Sequence, residues 1–529
     1  MMFLDLPPEL LVQILLGLPP SDILSSAQLV NRYLHNLIQE SSPLQYHVET
    51  KYAGVENNPE SNMVTAERLE VLRRSQHAWS DFVVSKRVNL PVRHRSSGLY
   101  DLTAGVYVLG ELGDSNADYP TPALRYTNLS VDQGNKPWAR ISVGRNIIDF
   151  GLAIREHDLI ALVTTPKGDM SGTSVTELVL LNLSTGDYHT SATQPVVYLT
   201  ETTAAHGHCS VMLEIVGNNL ALLLTYRQHL GLRASPDTFH VYNWRTGTLK
   251  TTLPTTHHAY QGFIFLTETA LLLPNLFERR LEIYTLSNAG LIPERFLDLP
   301  TLSPHHIILM LTCRAEPNPV GDHSANPPFV SSPTDAVALF NMTVIVGHPV
   351  DFNYFSFIVH RSALLKYLPP ASPTLDATGS TIESRIGAEV SNPPASISWN
   401  GWGPPITRWF NSQSIAHGYI TTTAGQRFVC ISARAGIDPS PIIIRDFNAH
   451  SVARYTEPEQ NEKPVSAGIK SLVTHATLLE PREVFTEHVW SALPYTEVVS
   501  RQRYDYTAVL MDEERILGLW VRIFLPLFY

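Results

Sequence analysis

The chain has 529 residues, 44% of them hydrophobic and only 16% charged, with a net charge of −11. That is ample for a large core, too long for one ordinary domain, and unlike a disordered or coiled-coil composition. The acidic balance argues against a general nucleic-acid binder, which needs a basic face to displace counterions.

The three cysteines, Cys209, Cys313 and Cys430, lie far apart and form no CxxC pair. Neither a disulfide framework nor a structural zinc knuckle is expected, and a reducing compartment, cytoplasmic or nuclear, fits best. The sequons at Asn128, Asn182 and Asn341 are read as chance, because no secretory signal accompanies them. The apolar N-terminal run is not read as such a signal. Asp5 and Glu9 interrupt it, prolines stand at 7, 8, 19 and 20, and no Lys or Arg precedes it. No uninterrupted apolar stretch of about 18 residues occurs, so no membrane helix is expected.

Residues 3–20 read FLDLPPELLVQILLGLPP. Pro7 and Pro8 suit a first helical turn, where a missing N–H costs nothing, and Glu9 complements the helix dipole. Leu10, Leu11, Ile14, Leu15 and Leu18 form one helical apolar stripe, which Gly17 and Pro19-Pro20 stop. Ser21 offers an N-cap for a second short helix through Ile23, Leu24 and Ala27, and Leu34, Leu37 and Ile38 mark a third. So short a module cannot bury all its leucines alone. The surplus face docks either on the rest of this chain or on a partner.

Leu4, Leu6, Pro7, Glu9, Leu10, Ile14, Leu15 and Leu18, then Asp22, Leu24, Leu29, Val30, Leu37 and Ile38, resemble the F-box pattern. The string LPPELL…ILLGLPPSDIL…LVNR is its specific part, and it covers about the first tenth of the chain. Two positions depart from the family: Leu34 stands where an aromatic is usual, and Asn31 where Cys or Ser is usual. The resemblance implies an F-box over residues 1–43 that binds a Skp-type adaptor and, through it, a cullin. Leu6, Pro7, Leu10, Ile14, Leu15, Pro19, Leu24 and Val30 would be its adaptor contacts.

Residues 44–98 read as a helical bridge. Thr65 is a candidate N-cap, Leu69, Leu72, Trp79 and Phe82 an apolar face, and Arg68, Arg73 and Arg74 a solvated one. The bridge resembles the linker of mushroom-lineage fungal F-box proteins.

From about residue 99 the texture changes to short strands and turns. DLIALVT precedes ELVLLNLSTGDYH, NLALLLTY precedes TFHVYNWRTGTLK, and TALLLPN precedes RLEIYTLSNAG. Gly186, Gly247 and Gly290 are read as positive-φ residues at the hairpin exits. With weaker copies before and after, ending in TAVLMDEERILGLWV, about seven units span 99–529. The expected fold is thus α+β multidomain: a small helical head and bridge, then a mostly-β domain. A six- to seven-bladed β-propeller is favoured there over a two-domain sandwich. The Pro/Ser-rich stretches 315–334 and 368–396 read as loop insertions.

Catalytic chemistry is not expected. No nucleophile elbow, Walker loop or dinucleotide fingerprint occurs. His206-Gly-His208-Cys209 lacks further ligands. The pairs His257-His258 and His305-His306 would diverge if they lay on strands, so no metal or cofactor is assigned. Asp158, Asp237, Asp335 and Asp446 read as turn-forming carboxylates near strand starts, and Arg445-Asp446 as an edge ion pair or turn. Trp399, Trp402 and Trp409 either line a recognition surface or pack between blades. The reading is a non-catalytic substrate-recognition subunit of a Skp–cullin–F-box ubiquitin ligase, with the β-rich domain holding an unidentified protein. The alternative is a free-standing propeller enzyme or scaffold whose N-terminal helices are only a cap.

Overall fold

The computed structural model describes residues 3–23, 25, 28–113, 120–129, 138–167, 173–203, 209–226, 236–319, 327–347, 351–369, 394–412, 419–431, 439–455, 467–480 and 482–520. The chain opens with helix α1 (Pro8–Leu16), the short turns α2 (Pro20–Asp22) and α3 (Gln28–Val30), and α4 (Arg32–Glu40). Next come α5 (Ser42–Ala53), the strand β1 (Val55–Asn57) and α6 (Thr65–Asp81). Pro7 caps α1 and Pro19 caps α2, so the second helical turn starts one residue before the Ser21 cap expected. The unusual Asn31 is the N-cap of α4: its Oδ1 accepts the Leu34 N–H at 2.8 Å. Among the described residues, no helix is long and apolar enough to cross a membrane.

The remainder is a ring of sheets, most of them antiparallel meanders whose first strand lies innermost. Blade 1 is β2 (Ser96–Thr103), β3 (Val106–Glu111), β4 (Ala123–Asn128) and β5 (Ala139–Ile141). Blade 2 is β6 (Asn146–Ala153), β7 (Leu159–Thr165), β8 (Thr173–Asn182) and β9 (Val196–Thr203). Blade 3 is β10 (Cys209–Val216), β11 (Asn219–Tyr226), β12 (Thr238–Asn243) and β13 (Thr248–Pro254). Blade 4 is β14 (Ile264–Phe265), β15 (Ala270–Asn275), β16 (Arg280–Ser287) and β17 (Gly290–Asp298).

Blade 5 starts with β18 (Ile307–Ala315). A loop carrying β19 (Phe329–Ser331) leads to β20 (Val337–Val346) and β21 (Asp351–His360). Strand β22 (Ser396–Ile397) returns to pair parallel with β17, and β23 (Thr407–Asn411) completes blade 5. Blade 6 is β24 (Thr423–Ala424), β25 (Arg427–Ile431), β26 (Ser440–Asp446) and, beyond it, β27 (Gly468–Val473). After the small pair β28 (Thr477–Leu478) and β29 (Trp490–Ser491), β30 (Tyr495–Tyr504) inserts between β26 and β27. A last hairpin, β31 (Ala508–Met511) with β32 (Ile516–Leu519), is a two-stranded seventh blade.

Ring closure is visible in the packing. Apolar side chains join blade 1 to 2 (Val108, Ile160), 2 to 3 (Leu178, Leu222), 3 to 4 (Leu223, Leu271) and 4 to 5 (Leu272, Phe340). They continue from 5 to 6 (Val337, Phe428), from 6 to the final hairpin (Val429, Val509), and from that hairpin to blade 1 (Leu510, Leu102). Inner and middle strands are buried on both faces and read as continuous apolar runs, as in β7, whereas the outer β13 is mostly exposed. The mostly-β domain is therefore a β-propeller of six full blades and one short one. Gly186, Gly247 and Gly290 do take positive φ (76°, 70° and 118°), ending their hairpins as the repeated turn required.

The head keeps its own core, formed by Leu15, Ile23, Leu34, Ile38, Leu44 and Val48. Helix α5 therefore closes the head as well as opening the bridge. The bridge is more than helical: β1 pairs antiparallel with β19, with Val55 opposite Ser331 and Asn57 opposite Phe329. The insertion at 315–334 is thus partly ordered docking strand. Residues 320–326 and most of 368–396 lie outside the described residues.

Candidate adaptor interface and the two ends of the ring

Helical geometry splits the leucines of α1 into two rows. Leu11 and Leu15 face inward and are buried, Leu15 within the head's core at 2% exposure. Leu10, Ile14 and Leu18, four residues apart, face outward, the first two at 45% and 46% exposure. Leu29, Val30 and Tyr33 are also exposed, Leu29 at 75% and Val30 at 68%. Pro7 and Pro19 lie at the surface and Leu6 is half-buried. Leu15 corrects the expected contact set, because it is already spent on the head's own core. Leu24 lies outside the described residues. Leu18, read on the same apolar stripe, is exposed with Leu10 and Ile14, and Leu29 and Tyr33 are exposed as well.

Specific bonds fix the head on the ring. Asn58 donates its N–H to Pro328 O at 3.1 Å and its Nδ2 to Pro327 O at 2.6 Å, and Ser332 N–H donates to Gly54 O. Tyr46, Leu69 and Leu72 pack with Phe329 on the same side. Arg68, expected as solvated, donates to Asn57 Oδ1, Asn58 O, Ser61 O and Met63 O, and so braces the β1–α6 turn. On blade 6, Arg454 lies 3.5 Å from the Tyr52 ring centre and Lys470 pairs with Asp81 at 2.7 Å. Burial opposes the Asp81 charge, but Lys470, Ser80 and His77 outweigh it and hold the carboxyl below its usual range. Strand β19 follows the end of the inner strand β18, so the head is anchored where the inner strands finish. We call this the proximal end of the ring and the opposite one the distal end.

The channel between the inner strands is charged. Arg314 of β18 reaches across to Asp101 of β2 at 2.8 Å and also bonds Glu316 at 2.7 Å. At Asp149 of β6 and Glu214 of β10, burial outweighs the Arg314 charge, which favours both ionised carboxylates, and Arg361, which favours ionised Glu214. Burial pushes the Asp149 carboxyl up to about 7 and the Glu214 carboxyl up to about 8, with Asp101 adding to both. Arg361, almost wholly buried, donates to Pro317 O, Pro333 O and Ala315 O, and so holds both ends of the loop that carries β19. In the sequence these charges are visible as single interruptions of apolar strands, such as NIIDFGLA and CSVMLEIV.

The remaining candidates resolve as follows. Trp399, Trp402 and Trp409 are buried against Phe355, Phe357 and Phe485 in the blade 4–5 core, so they pack rather than recognise. Asp158 accepts from Ser184 N, Asp446 from Asn448 N, and Asp335 faces Lys51, as turn carboxylates do. Arg445 pairs with Glu497 and Asp446 with Arg427, so the two neighbours are not each other's partners. His206 and His208 lie outside the described residues, and Cys209 is half-buried. His305 is exposed and His306 bonds Val484 O. The argument that adjacent histidines diverge fails at His257-His258. They occupy a turn with His258 at φ 56°, and their rings lie 3.9 Å apart.

Comparison with known proteins agrees with the head. Residues 3–46 match the F-box-like family model. No curated protein matches the chain. Among solved structures, Kluyveromyces lactis Hsv2p is 11% identical at a TM-score of 0.24, over 39% of this chain and 62%, less than two thirds, of its own. The β-propeller domain of the Pyrococcus furiosus Trilobed protease is 8% identical at a TM-score of 0.26, over 49% and 80%. The WD40 domain of Toxoplasma gondii coronin is 9% identical at 0.25, over 47% and 56%. At such scores these likenesses carry no weight beside the sheet order and ring closure. The chain thus carries an F-box-like domain at residues 3–46, held by a clasped bridge on the proximal end of a β-propeller.

Proposed function

We propose that this protein is a non-catalytic receptor. Its head binds a Skp-type adaptor, and through it a cullin, while the distal end of its propeller holds a protein destined for ubiquitination. The observation that carries this reading is the outward row Leu10, Ile14 and Leu18 and the equally exposed Leu29, Val30 and Tyr33. These apolar side chains are left over after the head has filled its own core, and exposed apolar surface of this kind marks an interaction surface. A propeller cap would instead turn that row toward the blades. The head packs mainly on α5, which leaves the row free. At the distal end, blade 5 exposes Ile307, Leu309 and Phe352, a candidate partner contact.

The test is co-purification of the full chain with a Skp-type adaptor. The Leu10→Ala/Ile14→Ala variant should lose the adaptor and keep the melting profile of the parent. Equal capture of both proteins, or of neither, would overturn the reading.

A further inference from the structure

Asp237 stands just before β12, at the distal end of blade 3, and is 1% exposed. A carboxylate so deep normally has a cationic partner or holds a metal. Asp237 has no lysine or arginine partner among the described residues. Its oxygens accept the backbone N–H groups of Tyr226 at 3.2 Å and of His258 at 2.6 Å. Among the described residues, the titratable nitrogens facing it are His257 Nδ1, 3.2 Å from Oδ1, and His258 Nδ1, 3.9 Å from Oδ2.

The two rings converge because the turn after β13 puts His258 in the left-handed region. The His257 Nε2 is buried with no hydrogen-bond partner among the described residues. All three ligand atoms lie within 4.8 Å of one another. Two ligands each about 2.1 Å from one zinc-class ion sit about 3.4 Å apart at a tetrahedral angle. His257 Nδ1 lies 3.2 Å from Oδ1 and His258 Nδ1 3.9 Å from Oδ2, so each imidazole stands near that spacing from its own oxygen of the one carboxylate. The backbone N–H groups already orient the carboxylate, as supporting contacts do around metal ligands.

We propose that Asp237, His257 and His258 form a binding site for a divalent cation of the zinc class. It takes the Asp237 carboxylate and one imidazole nitrogen from each histidine and leaves a position open. Nitrogen and oxygen donors in this number suit zinc and cobalt better than calcium or magnesium, which prefer all-oxygen shells. The ion would staple the turn between blades 3 and 4 to the start of β12. Both lie at the distal end, so metal occupancy would set the shape of that surface. The site stands independently of the adaptor reading.

The experiment uses full-length protein without a histidine tag, stripped with chelator and titrated with cobalt chloride, followed by zinc chloride. One equivalent of cobalt should bind with a visible d–d absorption that zinc abolishes, and zinc should raise the melting temperature. His258→Ala removes a ring that is 39% exposed and keeps the backbone N–H bond to Asp237, so the fold should persist. It should weaken cobalt binding at least tenfold and remove the zinc-dependent rise in melting temperature. His305→Gln, at an exposed position, should change neither. Absence of saturable cobalt binding, or equal binding by His258→Ala, would overturn the proposal.

Discussion

Raising the pH from about 6 to about 8 should loosen the propeller, and the cause should lie in its channel. Folding lifts the Asp149 carboxyl from 3.8 to about 7 and the Glu214 carboxyl from 4.5 to about 8, chiefly by burial. Between the ordinary and the raised value, the native chain holds a proton that the unfolded chain has released. Stability therefore falls as the pH rises through that window, and levels off above about 8. At about 1.4 kcal/mol per pH unit, the ceiling between about pH 6 and about pH 8 is about 1.4 kcal/mol for Asp149 and about 2.7 kcal/mol for Glu214. Arg314 and channel water can re-solvate the charges, so a combined loss of about 2–4 kcal/mol is expected. Carboxyls held low, such as Asp81 and Glu111, lose their contribution only below the usual carboxylate range and do not disturb this window. Thermal or urea unfolding of the full chain at pH 6, 7 and 8.5 would read the effect. Asp149→Asn/Glu214→Gln imitates the protonated pair in both states, so it should already exceed the parent at pH 6 and the gap should widen by pH 8.5. Comparing the two at each pH cancels the histidines. An identical pH slope in parent and variant would refute the assignment of the loss to these two groups.

Further expectations concern the head and its clasp. Leu15→Ala should cost about 2–5 kcal/mol of head stability by opening a cavity, whereas Leu10→Ala should leave it within about 0.5 kcal/mol; limited proteolysis of residues 3–46 separates them. Arg361→Met leaves three carbonyls without their donor and should destabilise the ring by about 3–5 kcal/mol in urea unfolding. Gly468→Ala would set a methyl 2.4 Å from Val498 Cγ1 and 3.1 Å from Phe82 Cβ. It should cost about 1–3 kcal/mol and raise hydrogen exchange at the end of α6.

Local pattern carried much of this architecture. The 3.6 period of α1 and its proline brackets are read directly from LPPELLVQILLGLPP, and the Thr-Gly turns mark where two hairpins exit. The same period did not say which row of leucines faces inward, because both rows are apolar and only packing against Leu34 and Leu44 chooses. The clasp was illegible for another reason. Three residues, Val55–Asn57, pair with a strand more than 270 positions away, and so short a segment has no periodicity to read. His257-His258 was misjudged because a strand geometry was assumed for a turn. The channel charges were legible only as interruptions, since placing them opposite one another requires the ring to close.

The clasp also decides how the protein could be taken apart and recombined. The head's core ends within α5, while β1 pairs with β19 on the loop between two strands of blade 5 and α6 lies along the outer strand of blade 6. A graft that moved residues 1–95 as one cassette would strip the propeller of a paired strand and leave the cassette with an orphaned one. The workable seam lies near Gly54, the left-handed residue that ends α5. Exchanged there, a foreign F-box would inherit the orientation that this ring imposes. Heads are in this sense portable, whereas the bridge belongs with the blades it stitches.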